Sequence, residues 1–188
     1  MPIFLGGDHS ISAPIIQACK EVYEDLVVIH FDAHTDLAPW NYLENHHHGN
    51  VMSRVLQENP GIEIYQFGIR GFAGASLNKS QCHQVGQREI NAYQLHRVSQ
   101  LVPKGQICYI SLDVDVLDPS FAPGTGTPVP MGMSPPVLLS LLESIAVRNN
   151  IVGIDIVELC PALDRNDMTS NLVLHILMCF LGKVSRKT

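Results

Sequence analysis

Hydrophobic residues fall along this chain in short, dense runs, separated by longer stretches in which they recur every three or four positions. The runs are rich in β-branched side chains and predict strands at Ile3–Leu5, Leu26–Phe31, Ile62–Ile69, Gln106–Leu112 and Ile151–Val157, with a weaker one near Arg88–Ile90. The stretches between them predict helices over Ile11–Glu24, Val51–Glu58, Ala92–Leu101, Ser134–Asn149 and Thr169–Leu181. Near-continuous hydrophobicity within the strands calls for burial on both faces. A mostly parallel sheet with helices on each side follows, a three-layer α/β/α architecture. No internal repeat or linker interrupts it, and the Pro/Gly-rich stretch from Pro119 to Pro136 reads as one long ordered loop.

At 188 residues and 46% hydrophobic, the chain suits a single domain with a sizeable core. Twelve Lys and Arg against eighteen Asp and Glu leave a net charge of −6. The basic residues are scattered, apart from a short basic end at Lys183 to Lys187, so no stripe exists to meet a phosphate backbone. Nucleic acid is excluded on this ground, and a small cationic substrate fits the balance better. The five cysteines (Cys19, Cys82, Cys108, Cys160 and Cys179) show no C-x-x-C spacing, which speaks against a disulfide framework or a cysteine zinc site. No apolar run approaches the about 20 residues that cross a bilayer, and no signal-peptide pattern opens the chain. The expectation is a protein of a reducing, cytoplasmic compartment with no membrane partner.

Chemistry gathers where the predicted strands end, the edge at which open parallel sheets carry their working residues. Gly6-Gly7-Asp8-His9-Ser10 follows the first strand, and the second runs into Asp32-Ala33-His34-Thr35-Asp36. The strand from Gln106 runs into Asp113-Val114-Asp115 and then Asp118-Pro119, and the last ends in Asp155-Ile156-Val157-Glu158. Period two along a strand points Asp113 and Asp115 the same way, and Asp32, His34 and Asp36 likewise if the chain stays extended. Carboxylates so crowded repel one another unless positive charge sits among them. Each fragment alone is weak: a G-G-D-H turn is usually a strand-to-helix turn, and one D-x-D is usually a solvated loop. Together they call for divalent cations, and oxygen donors with a few imidazoles and no thiolate suit Mn²⁺ better than structural Zn²⁺. In His46-His47-His48-Gly49, His46 and His47 read as a solvated loop and His48 as the candidate. His30, His83, His96 and His175 have no ligand-like neighbours in sequence and read as structural or surface residues.

Gly-Gly-Asp-His-Ser at 6–10, Asp-Ala-His-Thr-Asp at 32–36, Ser-Leu-Asp-Val-Asp-Val-Leu-Asp-Pro at 111–119, Gly-Thr-Gly-Thr-Pro at 124–128 and Asp-Ile-Val-Glu at 155–158 resemble, in order and spacing, the ureohydrolase family of arginases and agmatinases. The resemblance spans essentially the whole chain. It implies an arginase-like fold and a binuclear manganese site, with two Mn²⁺ per subunit. By that analogy His9, Asp32, Asp36 and Asp113 hold one ion; His34, Asp32, Asp113 and Asp115 hold the other; and Asp32 and Asp113 bridge both. His48 matches the family's proton-handling histidine, though the histidine loop departs in length and composition, and Glu158 matches the acid that grips a guanidinium. Family members usually carry further strands and helices before G-G-D-H, so residues 1–188 read as a single catalytic domain, N-terminally truncated and lacking one sheet edge. An exposed apolar edge invites pairing or instability.

The activity implied is Mn-dependent hydrolysis of a linear guanidino compound to urea and an amine, by attack of a metal-bridging hydroxide, with Asp115 or His48 supplying the proton to the leaving nitrogen. The Gly124–Pro128 form is closer to agmatinases and guanidino-acid hydrolases than to arginases, and Trp40 and Tyr42 either line the substrate channel or anchor a loop. The family also implies a homo-oligomer. Two other readings stay open: a truncated paralogue that is inactive or depends on a partner, and an enzyme acting on a formimino compound.

Overall fold

The computed structural model describes residues 1–39, 47–71, 80–92 and 95–185. Six strands, β1 (Ile3–Leu5), β2 (Leu26–Phe31), β3 (Glu63–Ile69), β4 (Cys82–Gly86), β5 (Ile107–Asp113) and β6 (Asn150–Val157), form one sheet in the order β1-β6-β5-β2-β3-β4. Every pairing is parallel. Among the described residues, six helices flank it: α1 (Ser12–Val22), α2 (Val51–Glu58), α3 (Gln87–Ala92), α4 (Leu95–Ser99), α5 (Pro135–Arg148) and α6 (Met168–Ser185).

Period two along each strand divides the core into two layers. Val28 of β2, Ile64 of β3 and Tyr109 of β5 meet Ala13 and Ile16 of α1 and Met52 and Val55 of α2 on one face. Val27, Ile29 and Phe31 of β2 meet Ile90 of α3, Val98 of α4, Leu138 and Ile145 of α5, and Ile176 and Phe180 of α6 on the other. The three-layer α/β/α arrangement expected from the hydrophobic pattern is the one observed. Each fully buried Ile, Leu or Phe in these layers contributes about 1.5–3 kcal/mol of transfer free energy.

Two sequence expectations are corrected. Arg88–Ile90 is helix α3, not strand; the sixth strand is β4, a few residues earlier. As an edge strand with exposed His83 and Gln84, β4 lacks the dense apolar run that marks the others. Glu89 turns back to accept the Gly86 N–H at 2.8 Å, which starts the helix where the strand ends. Also, α6 is long and apolar enough to cross a bilayer by length and composition, over Met168–Ser185. It instead packs against α5 and buries Val173, Ile176, Leu177 and Phe180 in the core.

Candidate metal centre and active site

All the polar strand ends named from the sequence lie at one edge, over four adjacent strands, β1-β6-β5-β2. His9 opens a 3-10 turn after β1; Asp32, His34 and Asp36 follow β2; Asp113 is the last residue of β5, and Asp115 lies in the 3-10 turn Val114–Val116. The side chains converge through turns, not through strand alternation. The chain leaves the extended conformation after Phe31, and Asp36 has a φ of 51°. Left-handed backbone is accessible to Asp and costly for Glu, yet Glu158 after β6 has a φ of 63°. Strain of that kind, of order 1–3 kcal/mol, persists where surrounding contacts fix it. Here the Glu158 N–H donates to the Gly7 carbonyl, and its Oε1 accepts the His9 N–H, both at 2.8 Å.

The cluster has two lobes that share one carboxylate. In the first, His9 Nδ1 stands 2.9 Å from Asp36 Oδ2 and 3.3 Å from both Asp32 Oδ2 and Asp113 Oδ2. In the second, His34 Nδ1 stands 2.9 Å from Asp115 Oδ2 and 3.4 Å from Asp32 Oδ1. Asp32 therefore turns one oxygen to each lobe. Asp113 faces the His9 lobe with Oδ2, while its Oδ1 accepts the Asp115 N–H at 2.8 Å. Asp115 Oδ1 accepts the Ala33 N–H at 3.0 Å, and Thr127 Oγ1 approaches its Oδ2 at 3.4 Å.

The electrostatics are those of a pocket short of positive charge. Burial pushes Asp113 well above the ordinary carboxylate range, and the charges of Asp32 and Asp115 push the same way. Burial, then Asp32, also raises Asp115. His34 is raised to about 10 by its bonds with Asp115 and Asp32. Burial opposes a charge on His9, yet Asp113, Asp32 and Asp36 raise its proton affinity well above that of an ordinary imidazole.

Hydrogen-bond direction supplies a test of whether a metal fits. Asp155 of β6 is fully buried and accepts the Tyr109 hydroxyl at 2.9 Å and the Ser111 hydroxyl at 2.8 Å. With its one proton given to Asp155, Ser111 Oγ is the acceptor for His9 Nε2–H at 2.9 Å. The nitrogen that His9 turns to the three carboxylates is thereby Nδ1, and it makes no well-aligned hydrogen bond to any of them. A buried imidazole nitrogen ringed by carboxylates takes a proton in the metal-free chain, in line with its raised affinity, and offers its lone pair to a divalent ion once that proton has left. The donor set, carboxylates and imidazoles, suits a hard or borderline divalent ion. Among the described residues two groupings have metal-ligand proximity, His9 with His30, Asp32 and Asp36, and Asp32 with His34 and Asp115.

His48 lies apart from the cluster. It is exposed and opens the 3-10 turn His48–Asn50, which packs beside the turn carrying His9. His47, expected as a solvated loop residue, is exposed but caps this turn, its Nδ1 accepting the Gly49 N–H at 3.1 Å. His46, Trp40 and Tyr42 lie outside the described residues, as does the side chain of His96. His83 pairs with Glu63 at 2.5 Å, and His175 is exposed with Cys179 Sγ at 3.7 Å.

His30 keeps the structural role expected of it but not the lack of ligand-like neighbours. It is fully buried, and its Nε2 lies 2.8 Å from Asp32 Oδ2. The signal was present: a histidine inside the run Leu26–Phe31 must find a partner, and period two sets it on the face of Asp32. Asp155 and Glu158 ended one candidate segment, but only Glu158 reaches the cluster edge; Asp155 lies one layer below. Arg70 was also missed. Its guanidinium donates to the carbonyls of Gly68, Asp115, Val116, Leu117, Val129 and Pro130, tying the 115–117 turn to the long loop. No single sequence position announces a site assembled from six carbonyls.

The model of the arginase family matches residues 1–182. The chain belongs to the arginase family. Among curated relatives it is 37% identical over 171 residues to an agmatinase of Bacillus cereus, an alignment covering 89% of this chain and 58% of that protein. The chain thus spans less than two thirds of that relative's length. Among solved structures, proclavaminate amidino hydrolase of Streptomyces clavuligerus superposes with a TM-score of 0.88 at 31% identity, covering 99% of this chain and 65% of that one. Formimidoylglutamase of Bacillus subtilis gives 0.87 at 34%, covering 97% and 60%. The arginase-like fold expected from the motifs is shared with these family structures.

Proposed function

We propose that this chain hydrolyses the guanidino group of a small linear compound, releasing urea and a primary amine, with two divalent ions held between β1, β2 and β5. The observation that carries the reading is the division of Asp32, whose Oδ2 faces His9 and whose Oδ1 faces His34. His9, Asp36 and Asp113 with Asp32 would hold one ion, and His34 and Asp115 with Asp32 the other; Asp113 completes the second in the family pattern. Manganese is the proposed metal, because the donors are mostly carboxylate oxygens. Such a pair of ions would supply a water of lowered pKa as nucleophile and polarise the group under attack.

The remaining work falls to the protein's own side chains. Glu158 Oε1 is anchored on the His9 N–H, and its Oε2 faces the Gly126 backbone, where an added Cβ would lie 3.9 Å away. This carboxylate would accept the guanidinium N–H groups and set the planar carbon beside the lobes. Asp115 holds Oδ2 towards the His34 lobe and is proposed to carry a proton to the departing nitrogen. His48, exposed at the rim, would exchange that proton with solvent.

An agmatine-like amine or a guanidino acid is the proposed substrate, supported by the agmatinase relative and by the Gly124–Pro128 loop. A formimino compound, with formamide in place of urea as product, is the second reading, supported by the likeness to formimidoylglutamase. The test is product release by Mn²⁺-loaded protein supplied with agmatine, arginine, guanidinobutyrate, guanidinopropionate or a formimino amino acid. Urea from one of the guanidino compounds supports the first reading and formamide the second. A folded, metal-loaded chain silent on all five refutes both.

A further inference from the structure

Beneath the candidate ligands a row of polar side chains crosses the sheet at one register. Gln84 of β4 pairs with Gln66 of β3, Gln66 with His30 of β2, His30 with Ser111 of β5, and Ser111 with Asp155 of β6. Partners in parallel strands point to the same face, so the five form a continuous line. Four of them, Gln66, His30, Ser111 and Asp155, are fully buried. Four polar residues in a sheet core need a reason, because unsatisfied buried groups cost several kcal/mol in the limit of no partner.

The direction of the hydrogen bonds on the β4 side follows from donor chemistry. The Thr35 carbonyl can only accept, and it lies 2.7 Å from the Gln66 amide atom assigned as Nε2. An oxygen there would face another oxygen, so the amide orientation is fixed. Gln84 Nε2 donates to the remaining Gln66 Oε1 at 2.7 Å, which agrees. Gln66 Nε2 also lies 2.8 Å from His30 Nδ1, which must then be the acceptor. The imidazole proton is left on Nε2, which donates to Asp32 Oδ2 at 2.8 Å.

We propose that Gln84, Gln66 and His30 form a one-way relay that orients Asp32, the carboxylate shared by the two lobes, with His30 as a positioning donor and not a metal ligand. His30 lies within ligand distance of the His9 lobe, and the relay takes it out of the ligand set, because a nitrogen that carries a proton offers no lone pair. With one lone pair of Oδ2 engaged by His30 and Oδ1 accepting the His34 N–H at 2.6 Å, the carboxylate cannot rotate and presents one oxygen to each lobe. The inference rests on the two-ion reading of the site.

The test is calorimetric titration of Mn²⁺ into the wild-type chain and into His30→Phe, His30→Gln and Gln66→Met, with folding followed by circular dichroism. His30→Phe retains ring bulk and removes the donor, so its affinity is expected to fall about 10–100-fold. His30→Gln keeps an amide N–H within reach of Asp32 and is expected to recover most of the loss. Wild-type affinity in His30→Phe overturns the relay alone; a wild-type chain that binds no ions overturns both the relay and the two-ion reading. Should His30→Phe not fold, long-range proton–nitrogen NMR of the metal-free wild type decides. A proton on Nε2 and none on Nδ1 of His30 supports the relay, and any other protonation pattern overturns it.

Discussion

Glu158 accepts the backbone N–H of His9 at 2.8 Å, so the proposed guanidinium clamp and the first proposed ligand are one mechanical unit. The two residues follow β6 and β1, adjacent in the sheet but far apart in the chain. Replacing the acid therefore has two separable effects. Glu158→Gln keeps a carbonyl oxygen for the His9 N–H but removes the charge, so metal stoichiometry is expected to stay and kcat/KM to fall at least about 100-fold. Glu158→Ala removes the anchor too and is expected to weaken metal binding as well. Paired activity and metal-content measurements on the two variants check this.

Metal binding is expected to strengthen as pH rises. Bonds with Asp115 and Asp32 raise His34 to about 10 in the metal-free chain, so an ion reaches Nδ1 only after a proton has left. The same shift sets a stability trend. A folded pKa above the unfolded one of about 6.5 stabilises the metal-free chain fully below that pH, and the benefit is lost as pH climbs through about 10. Thermal melts from pH 6 to 10 are expected to show the metal-free Tm declining across that window, and this particular loss absent when Mn²⁺ is bound.

Gly68 is expected to tolerate no side chain. Its φ is +102°, at the irregularity where β3 changes register against β4, and an added Cβ would lie 2.6 Å from the Val116 side chain and 3.0 Å from the Asp32 carbonyl. Gly68→Ala thus combines left-handed strain of about 1–3 kcal/mol with displacement of the backbone bearing Asp32. Chemical denaturation is expected to show lower stability, and metal titration weaker binding.

Asp164 links the start of α6 to the Gly124–Pro128 loop. Its carboxylate accepts the Thr169 and Ser170 N–H groups at 2.9 Å each, while Thr169 Oγ1 accepts the Gly124 N–H at 2.8 Å. Burial acts against the charge, but the Ser170 and Thr169 hydrogen bonds hold Asp164 well below the ordinary carboxylate range. Its contribution is present above the unfolded pKa of about 3.9 and lost as pH falls through the lower folded value. Asp164→Ala is expected to cost about 1 kcal/mol, read as a Tm lower by about 2–4 °C.

The sequence made legible what periodicity and local crowding encode. Leu26–Phe31 and Val51–Glu58 were read with the bounds the structure has, because a β-branched run and an amphipathic stretch each carry one period. The convergence of His9, Asp32, His34, Asp36, Asp113 and Asp115 was foreseen, although the turns that produce it were not. β4 escaped notice because an edge strand carries polar, exposed residues, here His83 and Gln84. His30 and Arg70 escaped because their partners lie far along the chain: Gln66 is 36 residues from His30, and the Val129 carbonyl is 59 residues from Arg70. Such partnerships are set by strand order, which single-chain patterning does not carry.

The central claim is that two cations sit on either side of Asp32. Equilibrium titration of Mn²⁺ into the folded chain, with bound metal counted per molecule, tests it most directly. Two ions per chain are predicted for the wild type, with both sites weakened together in Asp32→Ala. A well-folded chain that takes up no ions, or that keeps both after Asp32 is removed, would contradict the account.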